Sequence, residues 1–213
     1  MKRLGWLAVL LVMLLSAGCR GTYYSAWEKF GVYKRDLLKK RVIEARDDQK
    51  AAGQQFTNAL AHLKEVYGFQ GGKLEKTYDV LNSDYERSVA KANAVRERIT
   101  QMESVAGDLF NEWEKEIREI SSASLQQGSR DKLRETRARY EEMHGSLKRA
   151  EKAMDPVLTQ FHDQVLYLKH NLNAAAVGSL QNESVNIQAD ISRLLAEMNA
   201  SIAQADQFIK ALP

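Results

Sequence analysis

The sequence predicts an all-α fold, either an elongated antiparallel helical bundle or a coiled-coil hairpin, with three to four long helices. Only two prolines occur in 213 residues, and the charged residues, 28% of the chain, are interspersed with helix formers. Apolar residues recur at alternating steps of three and four, which is typical of one packed helix face. With 44% hydrophobic residues the chain can bury one core, so we expect a single helical domain over residues 24–213.

The first predicted helix runs from about Tyr24 to Tyr67. Its apolar spacing is irregular at the start and becomes regular at Ala52, Phe56, Leu60 (or Ala59), Leu63 and Tyr67. The stretch Gly68 to Gly72, GFQGG, favours a turn because glycine is a poor helix former. A second helix is expected to begin at about Lys73.

The second predicted helix carries the longest seam, by which we mean the row of core-facing positions along one helix face. Only Ser88 and Glu116 break its apolar rule. The seam positions are Leu74, Tyr78, Leu81, Tyr85, Ser88, Ala92, Val95, Ile99, Met102, Ala106, Leu109, Trp113, Glu116 and Ile120. At 1.5 Å per residue such a helix is roughly 70 Å long, so a rod is expected.

The third predicted helix follows a turn over Ser121 to Ser129. Its seam consists of Leu133, Thr136, Tyr140, Met143, Leu147, Ala150, Met154, Val157, Phe161, Val165, Leu168, Leu172 and Ala175. Two successive steps of four after Val157 fit a kink or a restart, at which Asp155 caps the helix and Pro156 takes its first position.

The final predicted helix follows a weaker break at Val177 to Ser179. Its seam consists of Ile187, Ile191, Leu194, Met198, Ile202, Ala205, Ile209 and Leu212. Because short connections join long helices, successive helices are expected to be antiparallel.

Residues 1–18 have the layout of a secretory signal: Lys2 and Arg3, an uncharged apolar run, and then small residues. The run is too short to span a bilayer comfortably. Leu15 to Cys19, LSAGC, resembles the lipobox of bacterial lipoproteins. That resemblance implies cleavage before Cys19 and acylation of its thiol and new amine by palmitate-like chains, with residues 19–23 as the acylated tether. The alternative is an ordinary signal peptide cut nearby, which leaves Cys19 as a free thiol.

Cys19 is the only cysteine of the chain, so the core must hold by packing without a disulfide. Arg20 stands where an Asp would, by resemblance to the lipoprotein sorting rule, favour retention in the inner membrane. We therefore expect the outer membrane of a Gram-negative bacterium, with the protein facing the periplasm.

An aromatic and basic stretch follows the tether. Its membrane-proximal candidates are Tyr23, Tyr24, Trp27, Lys34, Arg35, Lys39, Lys40 and Arg41. Aromatic rings at headgroup level and cations near lipid phosphate would orient the rod on the membrane. Equally, Trp27 and Phe30 could form the first core layer of the bundle while the lysines face water.

The sequence gives no support for nucleic-acid binding or for catalysis. Lys2 and Arg3 account for part of the net charge of +3, so little positive charge remains from Cys19 onward. The four histidines lack metal-binding spacing, and no metalloprotease, phosphate-loop or nucleophile-elbow motif occurs. We predict no catalytic residue, no metal, no cofactor and no enzyme activity.

The stretch Asp155 to Ala174, DPVLTQFHDQVLYLKHNLNA, is apolar on more than one helix face. Such a helix either lies between neighbours in a bundle, which we favour, or meets a partner. The possible partner contacts are Phe161, His162, Tyr167, His170, Asn171 and Asn173. The polar ones among them could instead set the register of the helices.

Four stretches carry a resemblance to a known family. They are RVIEARDDQ (Arg41 to Gln49), LFNEWEKEI (Leu109 to Ile117), LRETRARY (Leu133 to Tyr140) and PVLTQFHDQVLYLKHNLNA (Pro156 to Ala174). With them the mature chain is similar to an uncharacterised proteobacterial lipoprotein family, domain of unknown function 2959. The resemblance implies no activity and names no site.

These observations predict a lipid-anchored periplasmic rod that acts as a scaffold, adaptor or spacer by binding an unidentified envelope protein. A self-associating, membrane-shaping coiled coil is the nearest alternative. An envelope hydrolase with an unrecognised site is a further alternative, and it would require a concave pocket with converging polar groups.

Overall fold

The computed structural model describes residues 34–68 and 74–212, and within these residues the chain forms four α-helices and no strand. The helices are α1 (Lys34–Tyr67), α2 (Leu74–Glu119), α3 (Ala123–His170) and α4 (Ala174–Ala211). The prediction of an all-α helical bundle is confirmed, with four helices. The signal segment, the tether and most of the GFQGG stretch lie outside the described residues.

Each helix packs against the next one in the chain, and α4 closes the ring by packing on α1. Side-chain contacts show that α1 and α2 are antiparallel. Arg98 on α2 pairs with Asp48 on α1 at 2.8 Å, whereas Lys34 at the start of α1 pairs with Glu112 near the end of α2. Because α2 and α3 contain 46 and 48 residues, each is roughly 70 Å long, and the molecule is a rod.

The predicted seams face the core along most of their length. In α1 the buried position is Ala59 rather than Leu60. The buried seam residues of α2 include Leu81, Ser88, Ala92, Val95, Ile99, Met102 and Ala106. Those of α3 include Leu133, Tyr140, Met143, Leu147, Ala150, Met154, Val157, Phe161, Val165 and Leu168, and those of α4 include Ile187, Ile191, Leu194, Met198 and Ala205. One apolar core therefore runs through the described part of the bundle.

The predicted seam is wrong at the end of α2. After Ala106 the structure buries Phe110 and Ile117, and it leaves the predicted seam residue Glu116 exposed. A helix with 3.6 residues per turn drifts against a strict seven-residue repeat, so a long seam must move by one position to stay in the core.

The third helix is longer and more continuous than predicted. It begins at Ala123, so most of the stretch Ser121 to Ser129 is helical. Pro156 lies inside α3, which continues through it without the predicted restart. Asp155 therefore does not cap a helix, and its carboxylate instead pairs with Arg96 on α2 at 2.5 Å. Core packing on both sides of Pro156 outweighs its local cost, about 3 kcal/mol in a helix interior.

The connection between α3 and α4 lies at 171–173, and the predicted break at Val177 to Ser179 is wrong. The side chain of Asn173 accepts a hydrogen bond from the Ala176 N–H at 3.0 Å and caps α4. Because α3 ends at His170, the predicted seam position Leu172 is exposed, as is Ala175.

Buried polar side chains link α1 to the helix diagonally opposite, α3. Gln49 Nε2 donates to the Leu147 carbonyl at 3.4 Å, and Gln49 Oε1 accepts from the Ser201 hydroxyl on α4. At the last residue of α1, the Tyr67 hydroxyl donates to Gln164 Oε1 on α3 at 2.7 Å. The two α1-to-α3 bonds have nearly the same sequence separation, which shows that these two helices are parallel.

Candidate functional site

The predicted anchor and aromatic candidates cannot be placed, because they lie outside the described residues. They are Cys19, Tyr23, Tyr24 and Trp27. The described chain begins at Lys34, at the end of the rod where α2 runs into α3. We call this the proximal end, and we call the opposite end, where α3 runs into α4, the distal end.

The basic candidates of α1 divide into paired and exposed side chains. Lys34 pairs with Glu112, and only 12% of its side chain is exposed. Arg41 donates to Glu44 Oε2 at 2.7 Å and to Gln101 Oε1 at 3.3 Å. Both cations therefore contribute to contacts within the bundle. Among the remaining candidates, Arg35 and Lys40 are exposed and Lys39 is half-buried.

The candidate partner contacts on α3 also divide. Phe161 is fully buried and packs edge-on against Tyr85, with 5.9 Å between the ring centroids. It belongs to the core and does not face a partner. His162 is exposed, and its ring lies 5.2 Å from the ring of Tyr85.

The two asparagines of the candidate set lie in the α3–α4 connection. Asn171 follows the last residue of α3 as its C-cap and donates through Nδ2 to the Tyr167 carbonyl at 2.9 Å, and Asn173 caps α4. Their amide groups thus have local structural partners. His170 ends α3 and is exposed.

An exposed apolar group lies at the distal end, and we call it the distal tip. It consists of Leu166, Tyr167 and Leu172, with 44%, 41% and 41% exposure. The other large hydrophobic residues that the described part exposes, Val80, Leu125 and Val185, are scattered over α2, α3 and α4. Three such side chains within seven residues are a candidate contact surface.

A buried carboxylate lies between α1 and α2, and the sequence interpretation missed it. The side chain of Asp84 is 1% exposed. Its oxygens lie 2.5 Å from His62 Nδ1, 2.6 Å from Arg87 Nη2 and 3.3 Å from Gln55 Nε2. Asp84 follows Leu81 by three residues and Tyr85 follows it by four. Both steps place a residue on the core face, so the spacing fitted Asp84 as well as it fitted Tyr85. This spacing was the available signal.

The Asp84 group has the composition of a histidine oriented by a carboxylate, and three side chains contact that carboxylate. A nucleophilic mechanism needs a serine, threonine or cysteine bonded to the free side of the histidine. Within residues 34–68 and 74–212, His62 forms a hydrogen bond with Asp84 and none with a serine, threonine or cysteine. Arg87 adds a guanidinium group, whose charge neutralises the carboxylate.

Two grooves open along α3. The first groove lies between α2 and α3 at the proximal end and has a volume of about 520 Å³. We call it the arginine groove. It is lined by Ile117, Arg118, Arg130, Leu133, Arg134 and Arg137, together with two glutamates and an alanine. The second, of about 580 Å³, lies between α3 and α4 and is lined by acidic and amide side chains, including Asp163, Glu183 and Asp190.

Two tyrosines carry raised pKa values. Burial raises the pKa of Tyr67 to about 12, and the hydrogen bond to Gln164 opposes the shift. Burial also raises the pKa of Tyr140, and the charges of Glu103 and Glu141 add to the shift. Because their pKa values are raised, both tyrosines remain protonated at neutral pH. Neither residue lines the two grooves.

The described part of the chain offers no group of three or more His, Cys, Asp or Glu side chains that could hold a metal ion. Within the same residues, no helix is both long and apolar enough to cross a membrane.

No curated protein matches the chain. The family described as "Protein of unknown function (DUF2959)" matches residues 23–212.

Proposed function

The chain belongs to the DUF2959 family, whose description assigns no activity, and we propose that it is a lipid-anchored periplasmic rod that works by binding. In this proposal one end is tethered to the outer membrane through Cys19. The other end meets a second envelope protein, so that the rod acts as an adaptor or spacer.

The position of the distal tip is the observation that carries the proposal. Leu166, Tyr167 and Leu172 are exposed at the distal end, whereas Lys34, the first described residue of α1, lies at the proximal end. Because α1 and α3 are parallel and Tyr67 at the end of α1 bonds to Gln164, the length of α1 separates Lys34 from the distal tip, and its 34 residues correspond to roughly 50 Å. A rod with its tether at one end and an apolar surface at the other suits a protein that reaches from a membrane to a partner.

The anchor rests on the sequence between Leu15 and Cys19 and on the small separation of Cys19 from α1. Two or more acyl chains hold a protein stably on a membrane, because each buried CH₂ contributes about 0.8 kcal/mol. Fourteen residues lie between Cys19 and Lys34, so the proximal end would stay close to the bilayer surface.

We further propose that binding, not catalysis, is the activity. The family has no assigned function and the described fold is all-helical. The His62–Asp84 pair lies between two helices, and its carboxylate is already paired with Arg87.

The anchor is tested by labelling cells with radioactive palmitate. The wild-type chain should incorporate the label, and Cys19→Ala should not. In parallel, the chain from Arg20 onward, exported behind an ordinary cleavable signal, should be recovered in the soluble periplasm. Palmitate on Cys19→Ala, or recovery of the lipid-free chain with membranes after a high-salt wash, would contradict the anchor.

The contact surface is tested by photo-crosslinking in cells. A reactive amino acid is placed at Leu166, Tyr167 or Leu172 of the anchored protein, and at exposed Glu142 and Lys152 as controls on the same helix. One recurrent foreign protein at the distal tip, absent from the controls, would support an adaptor and identify its partner. Adducts only between copies of this chain would support the self-associating alternative. Equal adducts at all positions would contradict a distal contact surface.

A further inference from the structure

The arginine groove combines a guanidinium-rich wall with an apolar floor. Arg118 extends from α2, and Arg130, Arg134 and Arg137 extend from α3. Ile117 and Leu133 form the floor and are 3% and 7% exposed. A ligand that fits this groove has an anionic group for the arginines and an apolar part for the floor.

The four arginines are not equally available to a ligand. Arg137 pairs with Glu114 at 2.8 Å and lies over the Phe110 ring, and Arg134 pairs with Asp131 at 2.8 Å.

Arg118 and Arg130 are the available pair. Both side chains are exposed, and neither forms an ion pair within residues 34–68 and 74–212. Two exposed guanidinium groups that face one groove from two helices form a geometry suited to phosphate, since each can donate two parallel hydrogen bonds to its oxygens.

The groove lies at the end of the rod that would face the bilayer. Lys34, the first described residue of α1, pairs with Glu112, and the α2 side of the groove begins two residues later at Glu114. A tether from Cys19 would therefore hold the groove near lipid headgroups, a step that rests on the proposed function.

We propose that the arginine groove binds the phosphate of anionic phospholipids at the membrane surface, with Arg118 and Arg130 as its principal ligands. Each cation near an anionic bilayer adds favourable energy, and the two together give the rod a second membrane contact besides its acyl chains. The contact would fix the orientation of the proximal end on the bilayer.

The test measures binding of the lipid-free chain from Arg20 to Pro213 to sedimented vesicles. The vesicles contain phosphatidylglycerol in an excess of phosphatidylcholine, or phosphatidylcholine alone. We expect binding to the anionic vesicles only, with a decrease of about tenfold or more when Arg118→Gln and Arg130→Gln are combined. Binding should also fall as salt is added, because surface charges are screened.

A matched variant, Arg149→Gln with Arg193→Gln, removes the same charge from exposed arginines away from the groove. It should bind nearly as well as the wild type, and thermal unfolding by circular dichroism should show that both double variants are folded. Equal loss in the two double variants, no loss in the groove variant, or equal binding to both vesicle types would overturn the proposal. Since the assay uses no acyl chain, it is independent of the palmitate test of the anchor.

Discussion

Polar side chains inside the core determine much of how the four helices align. Gln49 and Tyr67 on α1 form hydrogen bonds with α3 and α4, and Asp84 on α2 gathers donors from α1 and from its own helix. An apolar seam tolerates a sliding of one helix against the next far better than a buried polar group does. Leaving such a group without its partner costs about 1–3 kcal/mol.

The raised pKa of Tyr67 predicts a loss of stability in alkali. Its pKa is about 12 in the folded chain and 10.0 for the unperturbed side chain, so the folded state holds the proton more tightly. The resulting stabilisation is complete below about pH 10 and is lost as the pH rises toward about 12, at up to about 1.4 kcal/mol per pH unit. Urea unfolding across this range should show the decrease.

Tyr67→Phe tests this assignment. At neutral pH the variant should be less stable by about 1–2 kcal/mol, because Gln164 Oε1 loses its buried donor. Its stability should fall less steeply in alkali than that of the wild type. Tyr78→Phe, at a half-buried seam position, is the matched control. An identical alkaline slope in wild type and Tyr67→Phe would contradict the prediction.

In the Asp84 group, removing the partners of the carboxylate should cost more stability than removing the carboxylate itself. Combining His62→Ala with Arg87→Ala removes the two nearest partners of a carboxylate with 1% exposure, which should cost about 3 kcal/mol or more. Asp84→Leu should cost less, because His62 and Arg87 are 38% and 53% exposed and can return to water, while leucine fits a core position. Urea unfolding of the two proteins checks the order. Equal costs would show that the carboxylate is not the buried partner that matters.

At the scale of the helix, periodicity predicted which segments form long helices better than it predicted where those helices end. The long seams of α2 and α3 are visible in sequence because one face of each helix must be apolar over many turns. The break at 171–173 was missed because it depends on one capping bond, from Ala176 N–H to Asn173, and contains no glycine. The restart predicted at Pro156 was wrong, because the rule that proline begins or breaks a helix takes no account of the core packing that holds α3 together.

Pro156 therefore predicts a stabilising substitution. It lies exposed inside α3, where it lacks the N–H that would bond to the Lys152 carbonyl. Pro156→Ala should raise the free energy of unfolding by about 1–3 kcal/mol, because alanine restores the donor and removes the clash. Thr159→Ala, an exposed change one turn later, should alter it by less than about 1 kcal/mol. Thermal and urea unfolding give both values. A destabilised Pro156→Ala protein would mean that the proline sets a bend that packing requires.

At the scale of the whole molecule, the sequence predicted a rod, but it did not predict the arginine groove at one end or the full distal tip at the other. Arg118 and Arg130 are separated by a turn in the chain and look like ordinary solvated charges in sequence. They face one groove only because α2 and α3 pack antiparallel. The distal tip was partly predicted, since Tyr167 was a candidate contact. Phe161 was both a seam position and a possible contact, and the structure buries it, as the favoured core interpretation expected.

The rod itself can be measured by small-angle X-ray scattering of the lipid-free chain from Arg20. A compact protein of this length has a radius of gyration of about 16 Å. A rod with helices roughly 70 Å long has about 22 Å, because its mass is spread along one axis. A value near 22 Å that does not change on dilution would support a single extended bundle, as an adaptor requires. A larger value that falls on dilution would instead support self-association, and a value near 16 Å would contradict the rod.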